Sequence, residues 1–258
     1  MDASASLNRR DWIAGLQSGL ALIEAFDDHN PRLTPSQAAA RTGLTRTAAR
    51  RHLLTLNALG YVATDGKAYW LAPRVLRLGA SYFESGRVPR LVQPFLQRLT
   101  TSTEGPAYAY ASVRDGDEIV YIARNGLHPG LNTGFVLGSR LPLTLTSAGL
   151  MLLSNSSDAE LDAFLARYRT RVFTPQTITS VARLRLEVVR ARAQGYAVLE
   201  QQLQPGMRGV AVLLRDQSDK AVGALSLTMP IGTASARQEV ARVVPTLQET
   251  AQALRRLL

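Results

Sequence analysis

Hydrophobic residues repeat with two different spacings along the chain, and each spacing predicts a different kind of structure. Over the first sixty residues, apolar positions recur every three or four residues, as on one face of a helix. The first such stripe consists of Ile13, Leu16, Leu20, Ile23 and Phe26. Further along the chain, segments in which apolar and polar residues alternate, as in strands, lie between segments with the helical spacing. Such a mixture, joined by hairpin turns, favours the α+β class with an antiparallel sheet.

The segment from Thr34 to Gly43 carries the signals of a short helix. Thr34 can act as the N-cap, Pro35 occupies the first helical position and Gln37 the third, which is the sequence of a capping box. The helix is therefore predicted to run to Thr42, with Gly43 in the turn that follows.

A second helix is predicted to begin after Thr45 and to end at Gly60. Its inner face carries Ala49, Leu53, Leu56 and Leu59. Ala39 on the first helix and Ala49 on the second are small enough for the two helices to cross closely around the glycine turn. This combination predicts a helix-turn-helix.

A hairpin and a connecting helix are predicted next. Tyr61–Thr64 and Lys67–Leu71 are strand-like and flank Asp65-Gly66, a dipeptide typical of tight hairpin turns. Pro73 then opens a helix that leads to Val88-Pro89.

The chain is predicted to divide at the helix that Pro73 opens. The three predicted parts are a winged helix-turn-helix domain over 1–72, a linker helix over 73–90 and a second domain over 91–258. Helices of the second domain are predicted at Leu91–Ser102, from Ser147 onward, and at Asp158–Tyr168, Val181–Gln194 and Ala236–Leu258. Its strands are predicted at Ala107–Val113, Glu118–Ala123, Leu141–Leu145, Tyr196–Glu200, Val210–Leu214 and Val222–Met229.

Composition excludes several classes of protein. The 258 residues are 46% apolar, which argues against disorder or a fibrous repeat. There is no cysteine, so disulfides, thiolate metal sites and cysteine nucleophiles are excluded. No apolar run approaches the roughly 20 residues that span a bilayer. The N-terminal residues lack the apolar core of a signal peptide, so we expect a cytoplasmic protein.

The basic residues indicate an anionic partner. The formal net charge is +10, and residues 29–64 contain five arginines and no acid. Candidate DNA-binding residues on the exposed part of the second helix are Thr45, Arg46, Thr47, Arg50 and Arg51. Arginine suits both phosphate oxygens and guanine edges. The hairpin 61–71 could form a wing that touches DNA, with Lys67 at its tip as the contact residue. Alternatively, the hairpin serves packing alone. The arginines of the helix could likewise be an ordinary solvated face.

Several segments resemble the IclR (isocitrate-lyase-regulator) family over nearly the whole chain. They are IAGLQSGLALIEAF, RTGLTRTAARRHLLTLNALGY, DGKAYWLAPRVLRLG, GSRLPLTLTSAGLMLLS, Gly195-Tyr196 and GALSLTMP. The resemblance implies a winged helix-turn-helix, a linker helix and a C-terminal GAF/profilin-like effector-binding domain with an antiparallel sheet. It is strongest to the branch that regulates p-hydroxybenzoate, protocatechuate and β-ketoadipate catabolism.

A candidate anion site lies at the segment Thr146, Ser147, Ala148 and Gly149. Here a strand-like segment passes into a helix start, where free backbone N–H groups and the helix dipole favour an anion. The resemblance implies that this turn contacts a carboxylate effector. An ordinary capped helix is the alternative.

Two later strands supply further candidate ligand residues. Alternation places Met207 and Gly209 on one face, and Ser226 and Thr228 likewise share a face. The resemblance implies that these four positions line the effector cavity, and that Thr133 and Phe135, in a covering segment 130–135, join them. Ordinary sheet packing would give the same alternation.

These observations predict a ligand-responsive transcriptional regulator. Its expected partners are double-stranded operator DNA, a small organic acid effector and further copies of the chain, as a homodimer or a dimer of dimers. The effector expected from the resemblance is an aromatic hydroxy acid such as 4-hydroxybenzoate or protocatechuate. The alternatives are a second domain that only oligomerises and one that senses a non-aromatic metabolite.

An enzyme is the least favoured interpretation. The three histidines, His29, His52 and His128, have neither metal-ligand spacing nor a neighbouring nucleophile. We therefore expect no catalytic residue, no metal site and no cofactor.

Overall fold

The computed structural model describes residues 11–27, 29–103, 105–126, 135–232 and 235–258, except for the side chains of residues 83 and 85. Within it the chain divides into two compact units, Met1–Ser85 and Gly86–Leu258. The first unit contains helices α1 (Ala14–Glu24), α2 (Pro35–Thr42) and α3 (Arg46–Ala58), strands β1 (Val62–Thr64) and β2 (Tyr69–Leu71), a 3₁₀ turn (Pro73–Val75) and helix α4 (Leu76–Ser85).

The predicted start and end of α2 are confirmed. The Thr34 hydroxyl accepts the Gln37 N–H at 3.4 Å, and the Gln37 side chain accepts the Thr34 N–H at 2.8 Å, which completes the capping box. Gly43 ends the helix at φ +71°, a left-handed conformation that glycine adopts without steric cost. The next helix, α3, is capped by Thr45 as predicted.

The core of the first unit differs from the predicted one on α1. Leu22 is fully buried among residues of α2, α3 and the hairpin. Ile13, Leu16 and Leu20 are 68%, 61% and 48% exposed, so this part of the predicted apolar stripe faces outward within the chain. Ile23 and Phe26, at its C-terminal end, are partly buried against the core as predicted. An apolar stripe identifies the amphipathic face of a helix but not what covers it.

The hairpin forms as predicted, with β1 and β2 antiparallel and Val62 opposite Leu71. Its turn is held by Asp65, whose carboxylate accepts the backbone N–H groups of Lys67 at 3.0 Å and Ala68 at 2.8 Å. These two hydrogen bonds lower the pKa of Asp65. Gly66 supplies the φ of +90° that the turn needs.

The predicted linker 73–90 is not one helix. Helix α4 ends at Ser85, Gly86 is extended with φ −75° and ψ 118°, and a new helix begins at Arg87. The division between the two units falls at this break. Pro89 lies in the first turn of the new helix, where the missing N–H costs nothing, so that helix starts before the predicted Leu91.

The second unit is an α+β arrangement around an antiparallel sheet, as predicted. Its helices are α5 (Arg87–Ser102), α6 (Ser147–Ser154), α7 (Asp158–Arg167), α8 (Val181–Gln194) and α9 (Ala236–Arg255). Its strands are β3 (Tyr108–Asp115), β4 (Glu118–Asn125), β5 (Arg140–Pro142), β6 (Ala197–Glu200), β7 (Met207–Arg215) and β8 (Ala221–Pro230), in the spatial order β5-β4-β3-β8-β7-β6.

Each face of this sheet supports a separate core. One core joins the sheet to α6, α7 and α8, and the other joins it to α5 and α9. Leu225 and Leu227 of β8 lie in the second core, whereas Ser226 and Thr228 face the side of α6. Alternation along β8 therefore sorts the residues as predicted. In the described part of the chain, no helix is long and apolar enough to cross a membrane.

The predicted strand Leu141–Leu145 is only partly a strand. Pairing ends at Pro142, and Leu143–Leu145 forms a 3₁₀ turn that leads into α6. This turn brings the Leu143 carbonyl so close to Gly149 that a Cβ at 149 would lie 2.0 Å from its oxygen. Glycine is therefore required at 149 for packing.

Candidate functional sites

Helix α3 presents a basic face that has no ion pair within the described residues. Ala49, Leu53 and Leu56 are buried against the rest of the unit. The predicted DNA-binding residues lie on the remaining, exposed surface of the helix: Thr45, Arg46, Thr47, Arg50 and Arg51. Residues four apart are neighbours on a helix, so Arg46 and Arg50 lie side by side, and Arg51 extends the basic surface around the exposed side. The Thr45 hydroxyl accepts the Ala48 N–H at 3.2 Å and fixes the start of the helix.

The other two arginines of the acid-free stretch are engaged within the unit. Arg32 pairs with Asp65 at 2.8 Å and lies over the Trp70 ring at 4.1 Å. Arg41 pairs with Asp27 and donates to the Ala25 carbonyl at 2.8 Å. Both acids lie just outside the stretch 29–64 in sequence, so the stretch is not free of acids in space. Among the arginines of this stretch, those of α3 have no ion pair within the described residues, so their charge is available to a partner.

Lys67 lies at the tip of the hairpin with its side chain exposed. Its backbone N–H is held by Asp65, which fixes the turn while the ammonium group stays in solvent. In this position it can contact a phosphate, as a wing residue does.

The second unit contains a partly open cavity of about 60 Å³ between the start of α6 and the sheet. Eight of the ten predicted ligand residues line it: Phe135, Thr146, Ser147, Ala148, Met207, Gly209, Ser226 and Thr228. This volume has room for roughly four to six water molecules, which fits one small organic molecule. Of the other two predicted residues, Thr133 lies outside the described residues, and Gly149 does not line the cavity.

The helix start at the cavity is suited to an anion. The Thr146 hydroxyl accepts the Gly149 N–H at 2.9 Å, and the Thr146 carbonyl accepts the Leu150 N–H. The N–H groups of Ser147 and Ala148 have no hydrogen-bond partner within the described residues. They lie at the positive end of the helix dipole. The prediction for Gly149 is corrected here, since its N–H is taken by the cap and its missing side chain serves packing against Leu143.

Gly209 lets α6 approach the sheet. A Cβ at position 209 would lie 2.8 Å from the Ser147 hydroxyl oxygen. Thr228 lies directly opposite Gly209 on the neighbouring strand. The space above Gly209 is therefore shared between Ser147 and the cavity.

The sequence interpretation missed the opposite wall of the cavity. Tyr121 of β4 lines it, and its ring packs against Phe135 at 5.9 Å between centroids. Tyr110 of β3 packs against Tyr121 at 4.3 Å. Burial raises the pKa of Tyr121, and it raises the pKa of Tyr110 to about 12 against the opposing charge of Arg124. Both phenols are therefore neutral at physiological pH.

The remaining lining was also missed, and most of it follows β6; Leu145 precedes α6 and Leu199 lies within β6. It consists of Leu145, Leu199, Gln201, Gln202, Leu203 and Gln204. The Gln202 side chain accepts the Ile178 N–H at 2.8 Å and donates to the Glu200 carbonyl at 2.8 Å. Gln201 has φ +55°, and its side chain accepts the Gly206 N–H at 2.9 Å. The irregular backbone after β6 carries no periodic signal that could have identified these residues.

A larger open groove of about 770 Å³ follows the outer edge of β6 beside α8. Arg183, Arg190 and Arg237 lie on it with their side chains exposed, and Arg190 pairs with Glu187 at 3.5 Å. None of the predicted ligand residues that the structure describes lines this groove. Sites for small molecules bury most of the ligand surface, so the smaller and less open cavity is the better candidate.

Comparisons with known proteins assign the family. The IclR helix-turn-helix domain matches residues 15–66, and the bacterial transcriptional regulator IclR C-terminal domain matches residues 80–256. The Pca operon regulatory protein of Acinetobacter baylyi is 35% identical, over 98% of this chain and 91% of its own length. The p-hydroxybenzoate hydroxylase transcriptional activator of the same organism is 34% identical, over 99% of this chain and 96% of its own length.

A solved structure supports the fold. An IclR homologue from Microbacterium hydrocarbonoxydans, crystallised with 4-hydroxybenzoate, superposes with a TM-score of 0.77 at 23% identity, over 93% of this chain and 97% of that one. Both family domains and the full-length identity to the Acinetobacter regulators lead to one conclusion. The chain belongs to the IclR family of bacterial transcriptional regulators.

Proposed function

We propose that this regulator binds operator DNA through α3 and the hairpin, and that it senses a small aromatic hydroxy acid in the cavity beside α6. The observation that carries the proposal is the convergence on that cavity of eight predicted residues from four separate segments of the chain. The acid would act in the cytoplasm, where the operator is. Its binding would shift the population between conformations that differ in their affinity for DNA. DNA and the acid then change each other's affinity by the same factor.

The DNA part of the proposal is supported by the charge on α3. Arg46, Arg50 and Arg51 remain unpaired within the described residues, whereas Arg32 and Arg41 neutralise acids of their own unit. An exposed helix that follows a tight turn and carries unpaired arginines can enter a major groove, where arginine binds guanine edges.

The wing contact is tested by Lys67→Ala. We expect affinity for DNA to fall about three- to fivefold irrespective of sequence, and the slope of log affinity against log salt to decrease by about 1, since one phosphate contact is lost. Fluorescence anisotropy over a salt series measures both quantities. Lys220→Ala removes the same charge from the second unit and serves as the control; an equal effect of the two variants would refute a wing contact.

The effector part of the proposal is supported by the chemistry of the cavity. Two backbone N–H groups at a helix start can hold a carboxylate, and the aromatic rings of Tyr121 and Phe135 can pack against a ring. The likeness to a homologue crystallised with 4-hydroxybenzoate, and to an activator of the p-hydroxybenzoate hydroxylase gene, favours an aromatic acid. We therefore propose 4-hydroxybenzoate or protocatechuate.

A panel of acids tests this effector class. We expect 4-hydroxybenzoate or protocatechuate to raise the melting temperature of the full-length chain, since a ligand present at about 100 times its Kd stabilises the folded state by about 2.7 kcal/mol. Aliphatic acids such as glyoxylate and pyruvate form the second arm of the panel. Stabilisation by the aliphatic acids alone would show a non-aromatic effector, and no stabilisation by any acid would favour a second unit that only oligomerises.

We further propose that the chain works as a homodimer or a dimer of dimers. The support is apolar surface on the first unit that stays exposed in the single chain. On α1 it consists of Ile13, Leu16 and Leu20, and on α4 Leu76 is 72% exposed. Contiguous exposed apolar surface is typical of protein interfaces, and paired helix-turn-helix units read repeated half-sites.

A further inference from the structure

One buried hydroxyl beside the cavity has no partner. The Tyr110 side chain is 1% exposed, and its hydroxyl oxygen has no hydrogen bond within the described part of the chain. Buried polar groups are nearly always hydrogen-bonded, because desolvation without a partner costs free energy. The Ser112 hydroxyl, two residues further along β3, is the other buried side-chain group without a partner among the described residues. Of the two, Tyr110 packs directly against a ring that lines the cavity, so its hydroxyl points to a group that is paired only when a ligand is bound.

Tyr110 lies between two residues that line the cavity. On one side its ring packs against Tyr121 of β4 at 4.3 Å between centroids. On the other side it is directly opposite Ser226 of β8. Residues directly opposite each other in an antiparallel pair have their side chains on the same face of the sheet. Tyr110 therefore shares the face of the sheet that forms the cavity wall.

Tyr110 is on a strand that is two places along the sheet from the strand beneath the helix start. Ser147 lies over Gly209 of β7, and β8 separates β7 from β3, so β3 is two strand spacings from β7, about 9.6 Å. Tyr108 is in register with Gly209 through Thr228, and Tyr110 lies two residues further along β3. A benzoic acid whose carboxylate rests on the N–H groups of Ser147 and Ala148 would extend its ring toward β3 and β4. The far edge of that ring would meet the tyrosine wall.

Tyr110 itself supplies a neutral polar group at this end, because the nearby arginine already has a backbone partner. Arg124 lies opposite Tyr110 on β4, and its guanidinium donates to the Phe135 carbonyl at 2.8 Å. Phe135 and Tyr121 provide aromatic surface. A neutral phenol can donate or accept a hydrogen bond, so it can pair with a hydroxyl on the ligand ring.

We propose that Tyr110 is the specificity-determining residue that recognises a hydroxyl substituent on the ring of the acid. The inference rests on the proposed effector function and deepens it. The Tyr110 hydroxyl gains its hydrogen-bond partner only from a hydroxylated acid, so the site distinguishes 4-hydroxybenzoate from unsubstituted benzoate.

Tyr110→Phe removes the hydroxyl and keeps the ring. We expect the wild-type chain to bind 4-hydroxybenzoate at least about tenfold more tightly than benzoate, and the variant to bind the two acids almost equally, mainly because 4-hydroxybenzoate binds more weakly. Isothermal titration calorimetry on the full-length chain measures both affinities. Tyr69→Phe, which removes a buried phenol hydroxyl in the first unit, is the matched control and should keep the wild-type ratio.

Two results would overturn the proposal and leave the effector function intact. One is an unchanged ratio of the affinities for 4-hydroxybenzoate and benzoate in Tyr110→Phe. The other is an equal loss of affinity for both acids, which would place the carboxylate rather than the ring hydroxyl at Tyr110. Failure of the wild-type chain to bind either acid would overturn both proposals together.

A measurement without ligand tests the premise. Because the hydroxyl has no partner in the protein, its removal should leave the melting temperature of the unliganded chain unchanged or higher. A melting temperature lowered by several degrees would show that the hydroxyl is already bonded, and would overturn the inference.

Discussion

Replacing Arg50 and Arg51 together with alanine is expected to weaken binding to cognate DNA by at least about 100-fold, with no change in effector affinity. Each bidentate contact between arginine and a guanine contributes about 1–3 kcal/mol, so two lost contacts cost about 2–6 kcal/mol, and the middle of that range exceeds the roughly 2.7 kcal/mol that a 100-fold loss requires. Both side chains are exposed on α3 and lie outside its buried face, so the helix should fold normally.

A mobility-shift assay measures this loss on DNA that the wild-type chain has selected from a random-sequence pool. The matched control is Arg183→Ala with Arg237→Ala, which removes the same charge from exposed positions of the second unit. The control should keep most of the affinity, because local contacts and not net charge determine specific binding. Equal losses in the two double variants, or wild-type affinity in the first, would reject α3 as the recognition helix.

The first unit could be predicted well where the signals are local. The capping box at Thr34 and Gln37, the turn at Gly43 and the Asp65-Gly66 hairpin each depend on residues within a few positions of one another. Local hydrogen bonds of this kind are encoded directly in the sequence.

Contacts between distant residues were not visible in the same way. The acid-free stretch looked like a uniform basic surface, but Asp27 and Asp65 fold back onto Arg41 and Arg32. The outward direction of Ile13, Leu16 and Leu20 was equally hidden, because a helical period does not say whether the partner of a face is in the same chain.

The cavity residues likewise divide into those that a local signal identifies and those that depend on contacts between distant segments. Alternation along β7 and β8 put Gly209, Ser226 and Thr228 on the correct faces, since side-chain direction in a strand follows a period of two. Which strand adjoins β8 was not determined by any local signal. Tyr110 and Tyr121 were therefore not among the candidate ligand residues, and only the sheet order places β3 and β4 beside the cavity.

The second large effect is expected on affinity for the acid when a larger side chain on β7 fills the cavity. Gly209→Val should weaken binding of the aromatic acid by about 30-fold or more, because forcing extra methyl groups into occupied space costs about 2 kcal/mol or more. Valine suits a strand, and the atom it meets first is the Ser147 hydroxyl oxygen at the end of a short side chain. The sheet should therefore tolerate the change while the binding site does not.

Calorimetry with 4-hydroxybenzoate measures the effect, and two further variants separate occlusion from displacement of α6. Gly209→Val combined with Ser147→Ala removes the oxygen that the new Cβ would approach at 2.8 Å, so α6 can keep its place while the valine still fills the cavity. Ser147→Ala alone keeps the backbone N–H groups and should bind the acid within a few-fold of wild type. If the double variant recovered wild-type affinity, displacement of Ser147 would explain the loss and the acid would not occupy the space above Gly209. If it remains weak while DNA binding without the acid is unchanged, the acid and the valine compete for the same volume.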